Sequence, residues 1–245
     1  YEMRSKGAVV ANTGDIIEAE NARWSFAGDT GEKFDQHVKK SVPFYEQGHQ
    51  LSLGLSDFFL NQGSVCYDLG CSTGTLLTNL AVHHKDKGVS FKGVDCEQDM
   101  LKIAKVNCHT HTEVTFGNHR LENCSFEPSD LVIAYYTMQF VSPRHRQDVF
   151  NKIYQSLNWG GGFVLFEKVR APDARFQDII TTLYGDYKLE QGYTGDEIVS
   201  KTRSLKGVLE PFSHLGNMGL LKRAGFKDVT TIFKYLCFEG FLGIK

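Results

Sequence analysis

The chain has six cysteines, at 66, 71, 96, 108, 124 and 237, and no Cys-x-x-Cys pair among them. That scatter excludes a disulfide framework and a cysteine-rich zinc module. Cys66 and Cys237 fall inside strand-like runs, so the thiols read as reduced and packed, as in a cytoplasmic protein. No apolar run reaches the length of a membrane span, and no signal peptide opens the chain. A surplus of one charge sign is missing too. With 27 basic and 29 acidic residues the net charge is −2, so no strong field draws the chain to nucleic acid or anionic membrane. His83-His84 and His109-Thr-His111 lack a cysteine or acidic partner at ligand spacing; they read as solvated faces, and no metal is expected. Tyr1 stands where a start methionine would, and the expectation is a piece of a longer fusion chain. What remains, 245 residues with 41% hydrophobic and 23% charged, is ordinary globular material with one sizeable core.

The stretch Ser64-Val-Cys-Tyr-Asp-Leu-Gly-Cys-Ser-Thr-Gly74 organises this material. A short apolar run carries Asp68, and Gly70 and Gly74 lead into the helical pattern Leu76-Leu77-Thr78-Asn79-Leu80. Strand, glycine turn and helix in that order make a nucleotide site in a doubly wound sheet. The two glycines let the backbone turn sharply and approach a ligand. The spacing is not G-x-G-x-x-G, and the P-loop lysine is absent. Aspartate ahead of G-x-x-x-G resembles the first motif of S-adenosylmethionine (SAM) methyltransferases; a ligand-free βα turn is the bland reading.

Residues 1–30 show no clean period and read as an irregular leader or linker, anchored by Trp24 and Phe26. The domain proper is expected over 31–245. Phe34 and Val38 give one helical turn, Pro43 stops it, and Leu51, Leu55, Phe58, Phe59 and Leu60 mark a second amphipathic run. Ser41-Val-Pro-Phe-Tyr45 is then either a lid or part of a capping helix. Strands are predicted near 64–69, 90–95, 112–116, 131–136 and 161–167, with helices near 75–85, 98–107 and 143–157. Asp228–Tyr235 and Phe238–Ile244 read as a closing antiparallel pair. The fold expected is Rossmann-like α/β: a seven-stranded, mostly parallel sheet with helices on both faces and an antiparallel last strand.

Asp95 ends the second strand some twenty-odd residues past the glycine turn, where a carboxylate accepts the ribose hydroxyls of an adenosine; a plain helix N-cap is the alternative. Met100 is an adenine contact or simply core. Tyr135, Tyr136 and Gln139 emerge at the end of the fourth strand, and Glu167 and Lys168 at the end of the fifth. Residues 170–225 interrupt the alternation with helical, basic, tyrosine-rich material. Lys168, Arg170, Arg203 and Lys206 bring positive charge suited to a carboxylate-bearing substrate.

With these pieces placed, the chain resembles class I SAM methyltransferases over roughly residues 24–245, and among them the carboxy-SAM synthase group. The runs that carry this are Ser-Val-Pro-x-Tyr at 41–45, Tyr-Asp-Leu-Gly-Cys-Ser at 67–72, Gln-Phe at 139–140, Lys-Ile-Tyr-Gln-x-Leu-Asn at 152–158, Glu-Lys at 167–168 and Gly-Tyr at 192–193. The resemblance implies a SAM site lined by Tyr45, Gly70, Cys71, Ser72, Asp95, Cys96, Asn118 and His119, to which the reading of the residues adds Asp68, Gly74, Met100 and Tyr135. For that group it implies use of SAM and prephenate, in wobble-uridine modification of tRNA. Two departures stand out. Tyr135 replaces the group's asparagine, and Thr202 falls at its carboxylate-gripping arginine, with Arg203 one place off. The runs Ile133–Phe140, 166–177, 201–212 and Phe233–Lys245 resemble more closely the C-terminal methyltransferase domain of ovothiol-pathway enzymes, which makes that the main expectation and carboxy-SAM synthesis, or methylation of another small amino acid, the alternative. That second likeness implies methylation of the π-nitrogen of 5-thiohistidine to give ovothiol A, with a sulfoxide synthase domain N-terminal in the same polypeptide. It implies Tyr135, Tyr136 and Glu167 as catalytic groups, and Phe44, Tyr45, Gln139, Lys168, Arg170, Tyr193 and Arg203 around the substrate.

Overall fold

A computed structural model describes residues 10–14, 18–19, 22 and 30–245, with side chains from residue 34 onward in the last segment. Trp24 and Phe26 lie outside the described residues. Seven strands form one sheet: β1 (Val65–Leu69), β2 (Ser90–Asp95), β3 (Val114–Asn118), β4 (Ser129–Tyr135), β5 (Leu157–Lys168), β6 (Asp228–Tyr235) and β7 (Phe238–Ile244). Their order is β3-β2-β1-β4-β5-β7-β6. The first five are parallel, and β7 runs antiparallel to both β5 and β6. Chain order reverses at β1, whose two neighbours are β2 and β4, and such a switch point opens a crevice at the strands' carboxyl ends.

The strands are buried on both faces, and alternate side chains feed two cores. Cys66, Leu131, Ile133, Val164 and Phe166 join α2 (Tyr45–Ser56) and α3 (Thr75–His83) in one core. Tyr67, Val132, Ala134, Phe163 and Leu165 join α5 (Pro143–Ser156) and α8 (His214–Ala224) in the other. Each fully buried leucine or phenylalanine there contributes roughly 1.5–3 kcal/mol. Between β5 and α8 the insertion forms α6 (Ala174–Glu190) and α7 (Gly195–Ser204). Asp173 caps α6 by accepting from Phe176 N at 3.1 Å, and Thr194 with Glu197 closes a capping box on α7.

Three boundaries differ from expectation. β3 begins at Val114 rather than 112, because the chain first turns with Val114 N donating to His111 O. β5 begins at Leu157, not 161, so Gly160 and Gly161 already lie within the strand. Glycine is required at 162, where a Cβ would sit 2.8 Å from the Phe59 ring. The leader is not wholly irregular: Ala11–Asn12 pairs antiparallel with Glu18–Ala19, and Asn12 Nδ2 donates to Glu197 on α7 at 3.2 Å. α1 (Thr30–Ser41) roofs the carboxyl ends of the strands, held to the glycine turn by Asp35, which accepts from Thr73 Oγ1 at 2.9 Å and Thr75 Oγ1 at 3.3 Å.

Candidate functional site

A cavity of about 710 Å³ opens at this switch point, between α1, the carboxyl ends of β1, β2, β4 and β5, and the insertion helices. Gly70 and Gly74 both hold φ near +76°, where a Cβ is costly. A side chain at Gly70 would overlap Thr137, so glycine alone lets the turn lie against β4's end. Asp95 lines the cavity and steadies the turn. Its Oδ2 accepts from Ser72 N and its Oδ1 from Glu97 N, both at 2.9 Å, leaving each oxygen lone pairs for a diol. Burial raises its pKa above the ordinary carboxylate value, against the pull of those N–H groups. Beside it Val94, Met100, His119 and Leu121 line a mostly apolar slot, and Ser72 Oγ donates to Met100 Sδ at 3.6 Å.

The other end of the cavity is basic. Lys168, Arg170, Lys188, Lys201 and Lys206 line it. The acids of the lining, Asp95, Glu97 and Glu122, all belong to the slot end. Lys188 and Lys201 come from the insertion and were not singled out in the sequence. Their signal was present only as basic residues on α6 and α7, with nothing to orient them.

Between the two ends stand the tyrosines. Tyr45, Tyr135 and Tyr136 line the cavity and pack on one another, with centroids 5.0 Å apart for Tyr45–Tyr135 and 4.8 Å for Tyr135–Tyr136. Burial drives all three phenols well above the ordinary tyrosine pKa, so they are neutral hydroxyl groups and not bases. The Tyr135 hydroxyl is also committed: it donates to Tyr45 O at 2.5 Å. Gln139 lines the cavity, but its amide is spent on backbone, accepting from Lys168 N at 2.8 Å and donating to Tyr136 O at 3.1 Å. Glu167 is turned away, fully buried behind the wall, where Oε1 accepts from Gln139 N at 3.2 Å. Burial pushes its pKa up to about 8, despite the nearby Arg146 guanidinium. Glu167 is therefore placed as a support of the wall, while Tyr135 lines the cavity with its hydroxyl already bonded to backbone.

A methyltransferase domain family matches residues 66–161, the segment from the glycine turn through β4 to the start of β5. Carboxy-S-adenosyl-L-methionine synthase from Campylobacter lari is 38% identical over 91% of this chain and 95% of its own length. The enzyme of that name from Staphylococcus epidermidis is 33% identical over 91% of this chain and 97% of its own. The chain belongs to the carboxy-S-adenosyl-L-methionine synthase family. A solved SAM-dependent methyltransferase from Methanosarcina mazei superposes with a TM-score of 0.58 at 15% identity, covering 78% of this chain and 96% of that one, a likeness of fold. The protein is a SAM-dependent enzyme. The Asp95 carboxylate with the slot beside it fits a ribose diol and a flat base, the groups that the nucleoside of SAM presents.

This membership corrects the ovothiol reading. Family relatives match nearly end to end as carboxy-SAM synthases, so N-methylation of 5-thiohistidine and the fused sulfoxide synthase domain have no support. Among the expected SAM-site residues, Tyr45, Gly70, Ser72, Asp95, Cys96, Met100, His119 and Tyr135 line the cavity. Asp68, Cys71, Gly74 and Asn118 do not. Asp68 and Cys71 are buried under the turn, a Cβ at Gly74 would sit 3.1 Å from Ala104 Cβ, and the Asn118 amide donates to Asp95 O at 3.1 Å. Burial raises the Asp68 pKa to about 7, with Asp95 adding to the shift.

On the substrate side three expected residues are displaced. Phe44 faces away and packs edge-on against Tyr235 at 4.9 Å. Tyr193 is buried behind the wall, with its hydroxyl 3.0 Å from Ser41 Oγ and 3.2 Å from His37 Nδ1. Arg203 is exposed and outside the cavity, while Thr202 lines it, as one step of about 100° on a helix dictates. Away from the cavity, His83 does have an acidic neighbour: folding brings Asp57 Oδ1 to 3.0 Å from its Nε2, with His84 beside them and Lys87 Nζ at 3.8 Å from the same oxygen. Among the described residues no helix is long and apolar enough to cross a membrane.

Proposed function

We propose that the protein joins a carboxyl group, taken from a small carboxylate donor, to SAM, as the name of its relatives describes. The observation that carries this is the division of the cavity: an acid-bearing slot for the nucleoside at the glycine turn, and a wall of five cations opposite it. A neutral or cationic methyl acceptor would gain nothing from that wall, and its desolvated charges would oppose one. The donor implied by the family resemblance is prephenate. Forming carboxy-SAM breaks the bond between the donor ring and its carboxyl carbon; the ring becomes aromatic by expelling its hydroxide, which leaves as water with one proton from SAM's methyl group, and that methyl carbon bonds the released carboxyl carbon, so prephenate becomes phenylpyruvate. The site then has to hold two ligands in contact, and a volume of about 710 Å³ supports that. Thr202 in the arginine position means that here lysines carry the anion. Six free cysteines, five of them buried, support a reducing, cytoplasmic setting.

The test is direct. Incubation with SAM and prephenate, with products read by mass, should give SAM heavier by one carboxyl group, together with phenylpyruvate. Recovery of unmodified SAM and prephenate would overturn the reading, and a methylated product from an added amine or thiol would replace it.

A further inference from the structure

At the basic end one aromatic ring serves two ammonium groups. Lys168 Nζ lies 4.4 Å and Lys188 Nζ 4.6 Å from the centroid of Tyr184, and Lys168 is also 5.9 Å from that of Phe238. Lys168 ends β5 and Lys188 sits in the last turn of α6, so only the folded chain brings them together. Both line the cavity, as do Tyr184, Phe238 and Cys237. Neither ammonium has a carboxylate within salt-bridge distance among the described residues. Burial lowers the basicity of both. Lys188 falls to about 8, with Lys168 as a further cause, and Arg170 and Lys206 act on Lys168 in the same sense. Two desolvated like charges sharing one ring are unfavourable unless an anion is bound between them. The Tyr184 hydroxyl is fixed by donating to Ser41 O at 2.8 Å, so the ring is held in place while each ammonium rests on it and keeps N–H groups for a ligand.

We propose that Lys168, Tyr184 and Lys188 form a carboxylate seat, which takes the second carboxylate of a dianionic substrate and selects dicarboxylates over monocarboxylates. The proposal rests on the carboxyl-donor reading above, and deepens it by naming the charge of the donor and the groups that read it. SAM's own methionine carboxylate is the other source of the same chemistry, and the test separates the two.

The probes are malonate and propionate, titrated by calorimetry into the protein saturated with S-adenosylhomocysteine, and SAM titrated separately. The parent should bind malonate at least tenfold more tightly than propionate. Lys188→Met should weaken malonate about 10–100-fold, the worth of a charge-assisted hydrogen bond, and Lys188→Arg should recover most of it. SAM affinity should stay within twofold. Removing one of two repelling buried cations should also raise the melting temperature of Lys188→Met, which shows that the variant folds. Unchanged malonate binding in Lys188→Met overturns the seat. A matching loss of SAM affinity assigns it to SAM's carboxylate and overturns it equally. If malonate behaves as expected but SAM and prephenate yield no carboxy-SAM, the seat stands and the carboxyl-donor reading falls.

Discussion

Glu167→Gln separates a catalytic carboxylate from a buried support. In the fold Glu167 keeps its proton up to about pH 8, whereas in the unfolded chain it releases it near its ordinary value of 4.5. Between those two values the unfolded state binds fewer protons than the folded one, so this group's contribution to stability falls as pH rises. At about 1.4 kcal/mol per unit, the three units from pH 5 to pH 8 set a ceiling of about 4 kcal/mol. Arg146 lies close, and the Met138–Phe140 turn can relax around the charge, so about 2 kcal/mol is expected. For a domain of this size that is about 4–8 °C in melting temperature. Glutamine keeps the carbonyl that accepts from Gln139 N but cannot ionise. Calorimetric scans of parent and variant at pH 5 and pH 8 isolate the effect, because every other titrating group, Asp68 included, is common to both and cancels. The variant should lose about 4–8 °C less than the parent between these pH values, with turnover within about fivefold at pH 7. A general base removed would cost about 100-fold or more. Parallel melting curves, or a collapse of turnover with unchanged stability, would refute the placement of Glu167 behind the wall.

Asp95→Ala removes two accepted N–H bonds and the diol acceptor, and SAM affinity measured by calorimetry should drop by roughly 2–3 kcal/mol; equal affinity would remove Asp95 from the site. Tyr135→Phe loses the bond to Tyr45 O, so a stability loss of about 1 kcal/mol is expected from denaturant melts, with turnover within a few-fold. A hundredfold fall in turnover would make Tyr135 catalytic after all. Arg203→Ala, exposed and outside the cavity, should leave the Michaelis constant for the donor within twofold, and Thr202→Arg should alter it, since residue 202 faces inward. Steady-state kinetics on both variants decides which of the two neighbours faces the substrate.

Local sequence determined the elements that rest on neighbouring residues. The apolar run into Asp68, the glycines at positive φ and the acid at the end of β2 are short-range signals. They place the SAM end of the cavity because strand, turn and helix are contiguous in the chain. Tertiary structure decided what lies one residue or one turn away from those signals. Glu167 and Lys168 are adjacent, yet on a strand successive side chains take opposite faces, so one is buried behind the wall and the other enters the cavity. Thr202 and Arg203 differ by one helical step in the same way. Lys188 and Tyr184 matter only because α6 folds back over β5 and β7, and Asp57 meets His83 only because α2 packs on α3. Spacing along the chain records which side chains exist at an element's end, while the packing of distant elements selects the one that faces the ligand.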